Sequence, residues 1–221
     1  LHGINFEIPE NYFEKRKIGE NDSKICELIR GDMIKEFIIY INKNNIPIDS
    51  SIPPSIYETN SFLIKKQAKF NKKDSAPFFV SQNNEKNEMK LIEYAMFFGS
   101  IQIFKYLEKE GAGLDPSLWC LAIHGHNSEL IQFLEENHVK LEDETYLKCF
   151  YESIKCHHND IAIYFLNNFL KEEGNSPNTI QKYIKYYNFD LLKNEFINDE
   201  SSFIGCPTSS VASHDRSYCR V

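Results

Sequence analysis

The chain has 221 residues, enough to bury a hydrophobic core without support from disulfides or metals. Hydrophobic residues make up 42% of the sequence and charged residues 26%, which argues against a disordered chain. The 9 glycines and 8 prolines are too few for an all-β sandwich with a turn in every ten residues or so. No uncharged stretch approaches the ~18 apolar residues of a membrane span, so we expect a helical protein without one.

The net charge of −7 is unevenly distributed along the chain. Residues 91–173 carry 14 acidic against 6 basic residues, a net charge of −8. A phosphate backbone would be repelled by this segment, so no nucleic-acid partner is expected, and a protein partner of basic or mixed charge fits it better. The alternative interpretation is that these carboxylates form solvated helix faces that keep the protein in solution.

Six cysteines are scattered along the chain without a secretory signal before them. We interpret them as reduced, intracellular thiols and predict a cytoplasmic location. The chain begins with Leu1 rather than methionine, which is typical of a fragment of a longer protein. A cleaved signal peptide would leave the same end, so both interpretations stay open.

The amino-terminal residues, 1–70, are predicted to form a helical unit. Helical periodicity covers residues 10–17, 23–29 and 32–43, and Asp32 is placed to cap the last of these helices. The segment Pro54-Ser55-Ile56-Tyr57 resembles Pro116-Ser117-Leu118-Trp119 and indicates a fainter copy of the repeats that follow. Residues 71–89 are rich in Lys, Asn, Ser and Gln, which is typical of a linker or surface loop.

Residues 90–173 contain a repeated pattern. Blocks 95–111, 122–138 and 154–170 align without gaps at offsets of 27 and 32 residues. Each block has a small polar residue five positions after its start, then apolar residues at nine and twelve. The polar positions are Ser100, Asn127 and Asn159, and the apolar ones are Phe104, Ile131 and Ile163, then Leu107, Leu134 and Leu166.

This spacing predicts a helix-turn-helix in each block. The second helices are expected near 100–110, 127–137 and 159–171, with the three small polar residues as N-caps. Residues 180–197 are also periodic and could begin a further pair, so 174–200 is a possible partial repeat. Residues 201–221 have no period and are expected to be disordered.

The repeats resemble those of the ankyrin family. The segment Ala95-Met96-Phe97-Phe98-Gly99-Ser100 is similar to the family's Ala-Ala-x-x-Gly-His step, and 103–107 is similar to its second helix. The amino-acid sequence as a whole resembles divergent ankyrin-like proteins of parasitic protists that carry a domain of unknown function. The family's Thr-Pro-Leu-His stretch is replaced in all three blocks, and the first spacing is about six residues shorter than the family's ~33.

The resemblance implies an all-α, ankyrin-type solenoid of helical pairs, with an N-terminal helical cap and shortened β-hairpin fingers. In that family the two residues before the Gly-His turn line a concave, partner-binding face. Here those residues are Phe97, Phe98, His124, Gly125, Cys156 and His157. The alternative for the two phenylalanines is a place in the core, and the single tryptophan, Trp119, is expected to be core as well.

No phosphate loop, nucleophile elbow, zinc-protease motif or Cys-x-x-Cys pair is present. Two groups of potential zinc ligands lie one repeat apart: Cys120, His124 and His126, then Cys149, Cys156, His157 and His158. A Cys-His nucleophile from the same groups lacks a recognisable orienting partner. The sequence therefore predicts a non-enzymatic scaffold without metal or cofactor. The alternatives are a metal-binding protein or Cys/His-based enzyme on the same helices, and a regulatory or spacer module of a longer protein.

Overall fold

A computed structural model describes residues 9–67, 88–141, 143–171 and 173–198 of the chain. These residues form twelve α-helices and no strand, and the β pairing found among them is an isolated bridge between Ser51 and Lys90. The prediction of an all-α fold is confirmed. Most of the predicted linker (71–89) and all of the predicted disordered tail (201–221) lie outside the described residues.

The chain divides into two compact units. In the described residues, the first unit comprises 9–67, 88–95 and 100–112, and the second comprises 96–99 and the residues from Gly113 onward. The division falls within the helix Leu91–Phe97, after Ala95.

The first unit is mainly helical, with Ile52, Tyr57 and Met89 of its connecting segments also buried. Its helices are α1 (Tyr12–Ile18), α2 (Lys24–Arg30), α3 (Ile34–Lys43), α4 (Ser61–Gln67), most of α5 (Leu91–Phe97) and α6 (Ile101–Lys109). Helix α3 packs against both α2 and α6. Their apolar stripes form the buried centre, which includes Ile29, Phe37, Leu63, Leu91 and Phe104.

The second unit is a succession of helix pairs. The pairs are α7 (Leu118–Gly125) with α8 (Ser128–Glu136), α9 (Asp143–Lys155) with α10 (Asn159–Asn168), and α11 (Pro177–Lys185) with α12 (Phe189–Asn198). Helix α9 also contacts α7 and α11, so the first helices of successive pairs pack together. Trp119 is 3% exposed and its indole N–H donates to Val139 O at 2.7 Å, which confirms its predicted place in the core.

The predicted second helices are found, each slightly shorter than expected, as α6, α8 and α10. The periodic stretch 180–197 is not one helix. It is broken between α11 and α12 by Tyr187, which has a left-handed backbone (φ 56°), so it supplies most of a complete pair.

The proposed upstream copy at Pro54–Tyr57 differs from Pro116–Trp119. The downstream segment leads into α7, whereas the upstream one forms a turn. The Arg16 guanidinium donates to Ile56 O at 2.8 Å and to Glu58 O at 2.6 Å, and the Ser55 hydroxyl accepts from Tyr57 N. These bonds occupy groups that a helix would pair internally, so a tertiary contact overrides the local resemblance.

A left-handed residue marks the turn between the two helices of each pair. These residues are Asp32, Gly99, His126, His157 and Tyr187. Each one donates its N–H to the carbonyl three residues earlier. In four of the five turns the next N–H reaches the carbonyl five residues earlier, which is the Schellman arrangement that satisfies the last carbonyls of a helix. The same turn also ends α3, α6 and α8, at Asn45, Gly111 and His138, so it is a general helix ending in this chain rather than a mark of the pairs.

The predicted N-caps have different outcomes. The Asn127 side chain accepts from Glu129 N at 3.0 Å and Leu130 N at 3.4 Å, so it caps α8 as predicted. Ser100 occupies the N-cap position of α6 as predicted, but its hydroxyl donates to Ile29 O at 2.5 Å and makes no cap bond. The prediction for Asn159 is wrong, because Asn159 is the first residue of α10 and follows the N-cap position.

Asp32 caps a different helix from the one predicted. Its left-handed backbone places it in the turn before α3, whose N-cap position is Met33. Its carboxylate accepts from Gln102 N at 3.1 Å and Ile103 N at 3.0 Å, the first free N–H groups of α6. An acidic group at that end is also favoured by the helix dipole.

Candidate functional site

The six predicted partner-binding residues lie at or beside the turns of the second unit. His157 is exposed, and Phe98 and Gly125 are partly exposed. The other three are buried: Phe97 is 6% exposed, His124 7% and Cys156 4%. Direct contact with a partner stays a prediction for this set, and the three accessible members are the ones a partner reaches without rearrangement.

Phe97 and His124 pack against each other. Their rings are stacked, with centroids 4.9 Å apart and 28° between planes, and Phe98 meets Phe97 edge-on at 5.0 Å. Phe97 thus covers one face of a buried imidazole. The core alternative considered for this phenylalanine agrees with its burial.

Two glycines allow the backbone of neighbouring turns to approach closely. A Cβ added to Gly125 would lie 2.5 Å from Met96 O, and one added to Gly99 would lie 2.8 Å from Gly125 O. The Asn127 amide also donates to Gly99 O at 3.2 Å. The two turns are therefore held in register by backbone contact and by a side-chain bond.

The turn after α7 and the turn after α9 meet through histidine side chains. The rings of His126 and His158 are stacked with centroids 3.9 Å apart, and His126 Nε2 lies 3.1 Å from Asp160 Oδ1. Burial and the neighbouring His126 lower the pKa of His158 to about 4, against the opposing effect of Asp160. His158 is consequently neutral at physiological pH.

Three side chains close to these turns form a group that we call the His124 cluster: the buried His124 of α7, the partly exposed Glu152 of α9 and the buried Cys156 just after α9. His124 Nε2 lies 3.0 Å from Glu152 Oε1, and His124 Nδ1 lies 3.6 Å from Cys156 Sγ. One potential metal-ligand atom from each residue falls within 4.8 Å of the other two. The Lys155 ammonium donates to the same Glu152 Oε1 at 2.6 Å.

The charges of this cluster are mutually stabilised. Burial by itself would raise the pKa of Glu152, but the bonds from His124 and Lys155 outweigh it and lower the pKa to about 2. Burial likewise opposes the charge of Lys155, yet the Glu152 carboxylate raises its pKa above the ordinary value. Glu152 is therefore ionised and Lys155 protonated at neutral pH.

A second buried pair, Cys120 and Cys149, links α7 to α9, with sulfur atoms 3.7 Å apart. Burial raises the pKa of Cys120 well above its usual value, as does the neighbouring Cys149, so Cys120 is a protonated thiol at neutral pH. The four cysteines among the described residues, Cys26 with Cys120, Cys149 and Cys156, are free thiols, as predicted.

Glu152 is the residue that sequence reasoning missed. The Cys-His alternative had no orienting third group, and the structure provides a carboxylate on the second nitrogen of His124. A signal was present, because Glu152 and Cys156 are four residues apart, the spacing of neighbours on one helix face. Of the seven candidate zinc ligands, the structure brings His124 and Cys156 together in this cluster.

No helix in the described parts of the chain is both long enough and apolar enough to span a membrane. No family profile, curated protein or solved structure matches the chain.

Proposed function

We propose that the chain is a non-enzymatic protein-binding scaffold, built as an ankyrin-like array of helix pairs. The observation that supports this most is the succession of three helix pairs in the second unit. One such pair cannot bury its own apolar stripe, so pairs stack and present their turns in series. In the second unit, the contacts of α9 with α7 and α11 fit this arrangement.

The proposed binding surface is the turn edge of the second unit, defined by Phe98, His126, His157 and Tyr187. Phe98 is partly exposed and His157 is exposed, while 59% of Tyr187 and 46% of the His126 side chain are accessible. Aromatic groups on a rigid surface make efficient anchors for a protein partner.

The turn edge is held rigid by side-chain bonds between successive turns. The Asn127 amide donates to Gly99 O, and the Asn188 amide donates to Asn159 Oδ1 at 2.7 Å. A surface that is already ordered loses little conformational entropy on binding, which favours affinity without a change of shape. The net charge of −8 over 91–173 supports a basic or mixed partner, attracted electrostatically.

The test is capture of a partner by the full chain from cells that make it naturally. A turn-edge variant carries His126→Asn, His157→Asn and Tyr187→Asn, since asparagine tolerates the left-handed backbone at all three positions. A matched control carries Glu129→Asp, Gln132→Asn and Glu136→Asp on the exposed side of α8, which keeps the net charge. We expect the wild type and the control to retain the same protein, and the turn-edge variant to lose it although its far-UV circular dichroism shows that it is folded.

Equal capture by the turn-edge variant and the control would contradict the proposed surface. Absence of any partner held by the wild type would instead favour the spacer alternative, a module that regulates or separates other domains of a longer protein.

A further inference from the structure

We propose that Cys156 is a reactive thiol, activated by His124 and Glu152 as a Cys-His-Glu triad, and that it is a site of oxidation by hydrogen peroxide. The inference does not depend on the turn edge, since the reaction involves a small molecule and requires no protein partner.

The imidazole of His124 lies between a thiol and a carboxylate. Cys156 Sγ is 3.6 Å from Nδ1, and Glu152 Oε1 is 3.0 Å from Nε2, so the two groups contact opposite edges of the ring. A nucleophile on one ring nitrogen and a carboxylate on the other is the arrangement by which a histidine activates a thiol or hydroxyl. The packing of α7, which carries His124, against α9, which carries Glu152, brings these groups together.

The carboxylate fixes which nitrogen of His124 accepts a proton. Glu152 is ionised at neutral pH, because its pKa is about 2, so Oε1 accepts from Nε2–H. In the neutral ring Nδ1 is then the unprotonated nitrogen, and it accepts the thiol proton of Cys156. The product is a thiolate beside an imidazolium whose other N–H still donates to Glu152.

The charge of Lys155 favours this thiolate. Burial opposes the charge of the ammonium, but Glu152, and after it Cys156, raise the pKa of Lys155 above its ordinary value. The attraction between two groups is reciprocal, so the protonated Lys155 stabilises a thiolate at Cys156. After proton transfer the charges of Glu152 and Cys156 are balanced by those of His124 and Lys155, which limits the cost of holding them out of water.

Cys120 provides the contrast at the same helix interface. Its sulfur lies 3.7 Å from that of Cys149, and burial raises its pKa well above the usual value. A protonated thiol is a poor nucleophile, because the thiolate is the reacting form. Peroxide should therefore distinguish Cys156 from Cys120.

The burial of Cys156 limits the class of reagent. Cys156 is 4% exposed and lies in the turn after α9, next to the exposed His157, so its sulfur suits a molecule as small as hydrogen peroxide rather than a polypeptide. The sulfur attacks one peroxide oxygen and the O–O bond breaks, which oxidises the thiolate to a sulfenic acid and reduces the peroxide. The leaving hydroxide takes the proton held by His124 and departs as water.

The test compares the rates at which the cysteines of the full chain are oxidised. The background protein carries Cys206→Ser and Cys219→Ser, and excess dimedone traps each sulfenic acid for mapping by mass spectrometry. With hydrogen peroxide at neutral pH, we expect Cys156 to be labelled at least about tenfold faster than Cys120 or Cys149. Labelling of Cys156 that is no faster than theirs overturns the proposal.

Two substitutions separate chemical activation from loosened packing. His124→Gln removes the base and Glu152→Gln removes the charge that orients it, so each should slow the labelling of Cys156 by about tenfold. Loosened packing would instead expose Cys156 and Cys120 and speed the labelling of both. Glu152→Asp, which restores a carboxylate, should react faster than Glu152→Gln. Far-UV circular dichroism and Trp119 fluorescence establish that each variant is folded, and unchanged or faster labelling of Cys156 in either folded glutamine variant overturns the proposal.

Discussion

The imidazole rings of His126 and His158 lie almost parallel, 9° apart, at consecutive turns of the second unit. His126 is in turn held by Asp160, in the first turn of α10. Asp32 makes a similar contact in the first unit, where its carboxylate accepts from N–H groups in the first turn of α6. A residue with a left-handed backbone therefore reaches the start of a later second helix in both units.

The histidine stack makes stability depend on pH. The pKa of His158 is about 4 in the folded chain, below the ordinary 6.5. As pH falls below 6.5, the unfolded chain takes up a proton that the folded chain refuses until about pH 4. The free energy of unfolding therefore decreases through this window, and this contribution is absent above it. Urea unfolding followed by Trp119 fluorescence between pH 5 and 7.5 measures the effect.

The control for this prediction is His158→Asn. Asparagine already follows the left-handed residue in two other turns, as Asn127 and Asn188. The groups that act on His158 are His126, Asp160, His124 and His157. Because these remain in the variant, the difference in slope between the two proteins isolates His158. An equally steep fall in the variant would show that another group is responsible.

Removal of the long-range cap should weaken the first unit. Asp32→Ala loses both bonds to α6 and places alanine at φ 46°, so we expect a loss of about 1–2 kcal/mol. Far-UV circular dichroism during urea unfolding is the suitable measurement, since Trp119 lies in the other unit.

Two further substitutions separate the cap from the backbone conformation. Asp32→Gly removes the cap but accepts the left-handed backbone, and Asp32→Asn keeps both an acceptor and tolerance of that backbone. The expected order of stability is wild type, Asn, Gly and then Ala. A glycine variant as stable as the wild type would mean that the cap contributes nothing.

The close approach of the turns at Gly99 and Gly125 gives a third prediction. Alanine at either position would place Cβ within 3 Å of backbone atoms, and Gly99 also has a positive φ of 68°. Because backbone cannot move aside cheaply, each substitution should cost about 1–3 kcal/mol. The control is Gly113→Ala, where a Cβ meets nothing within 4 Å and the effect should stay within about 0.5 kcal/mol. Similar thermal shifts in all three variants would contradict this account.

Periodicity was sufficient to predict the helices that bury a regular stripe. Leu130, Ile131 and Leu134 of α8 are buried, and the helix begins where its Asn127 cap was expected. The roles of Ser100 and Asp32 were not predictable, because their partners are about 70 residues away. A local pattern contains no information about which of two helices a free carboxylate will reach.

The candidate sites were predictable in position but not in chemistry. The family resemblance directed attention to the turns, where Phe97 and His124 lie, yet it could not show that these two rings cover each other. Glu152 was overlooked because its hydrogen-bond partner, His124, belongs to the preceding repeat. Burial and contacts between repeats depend on stacking, which a single sequence leaves open.

Asn188 provides the sharpest test of the bonds between turns. Its buried amide donates to Ile154 O at 3.0 Å and to Asn159 Oδ1, while its Oδ1 accepts from Leu191 N at 3.4 Å. Asn188→Ala should cost about 1–3 kcal/mol, because polar groups inside the second unit lose their partner. Asn188→Asp should cost more than alanine, since it turns a carboxylate oxygen towards two oxygen acceptors. The control is Asn168→Ala at an exposed helix end, with a loss within about 0.5 kcal/mol. Urea unfolding followed by Trp119 fluorescence ranks the variants, and an aspartate variant more stable than the alanine variant would contradict the donor role of the amide.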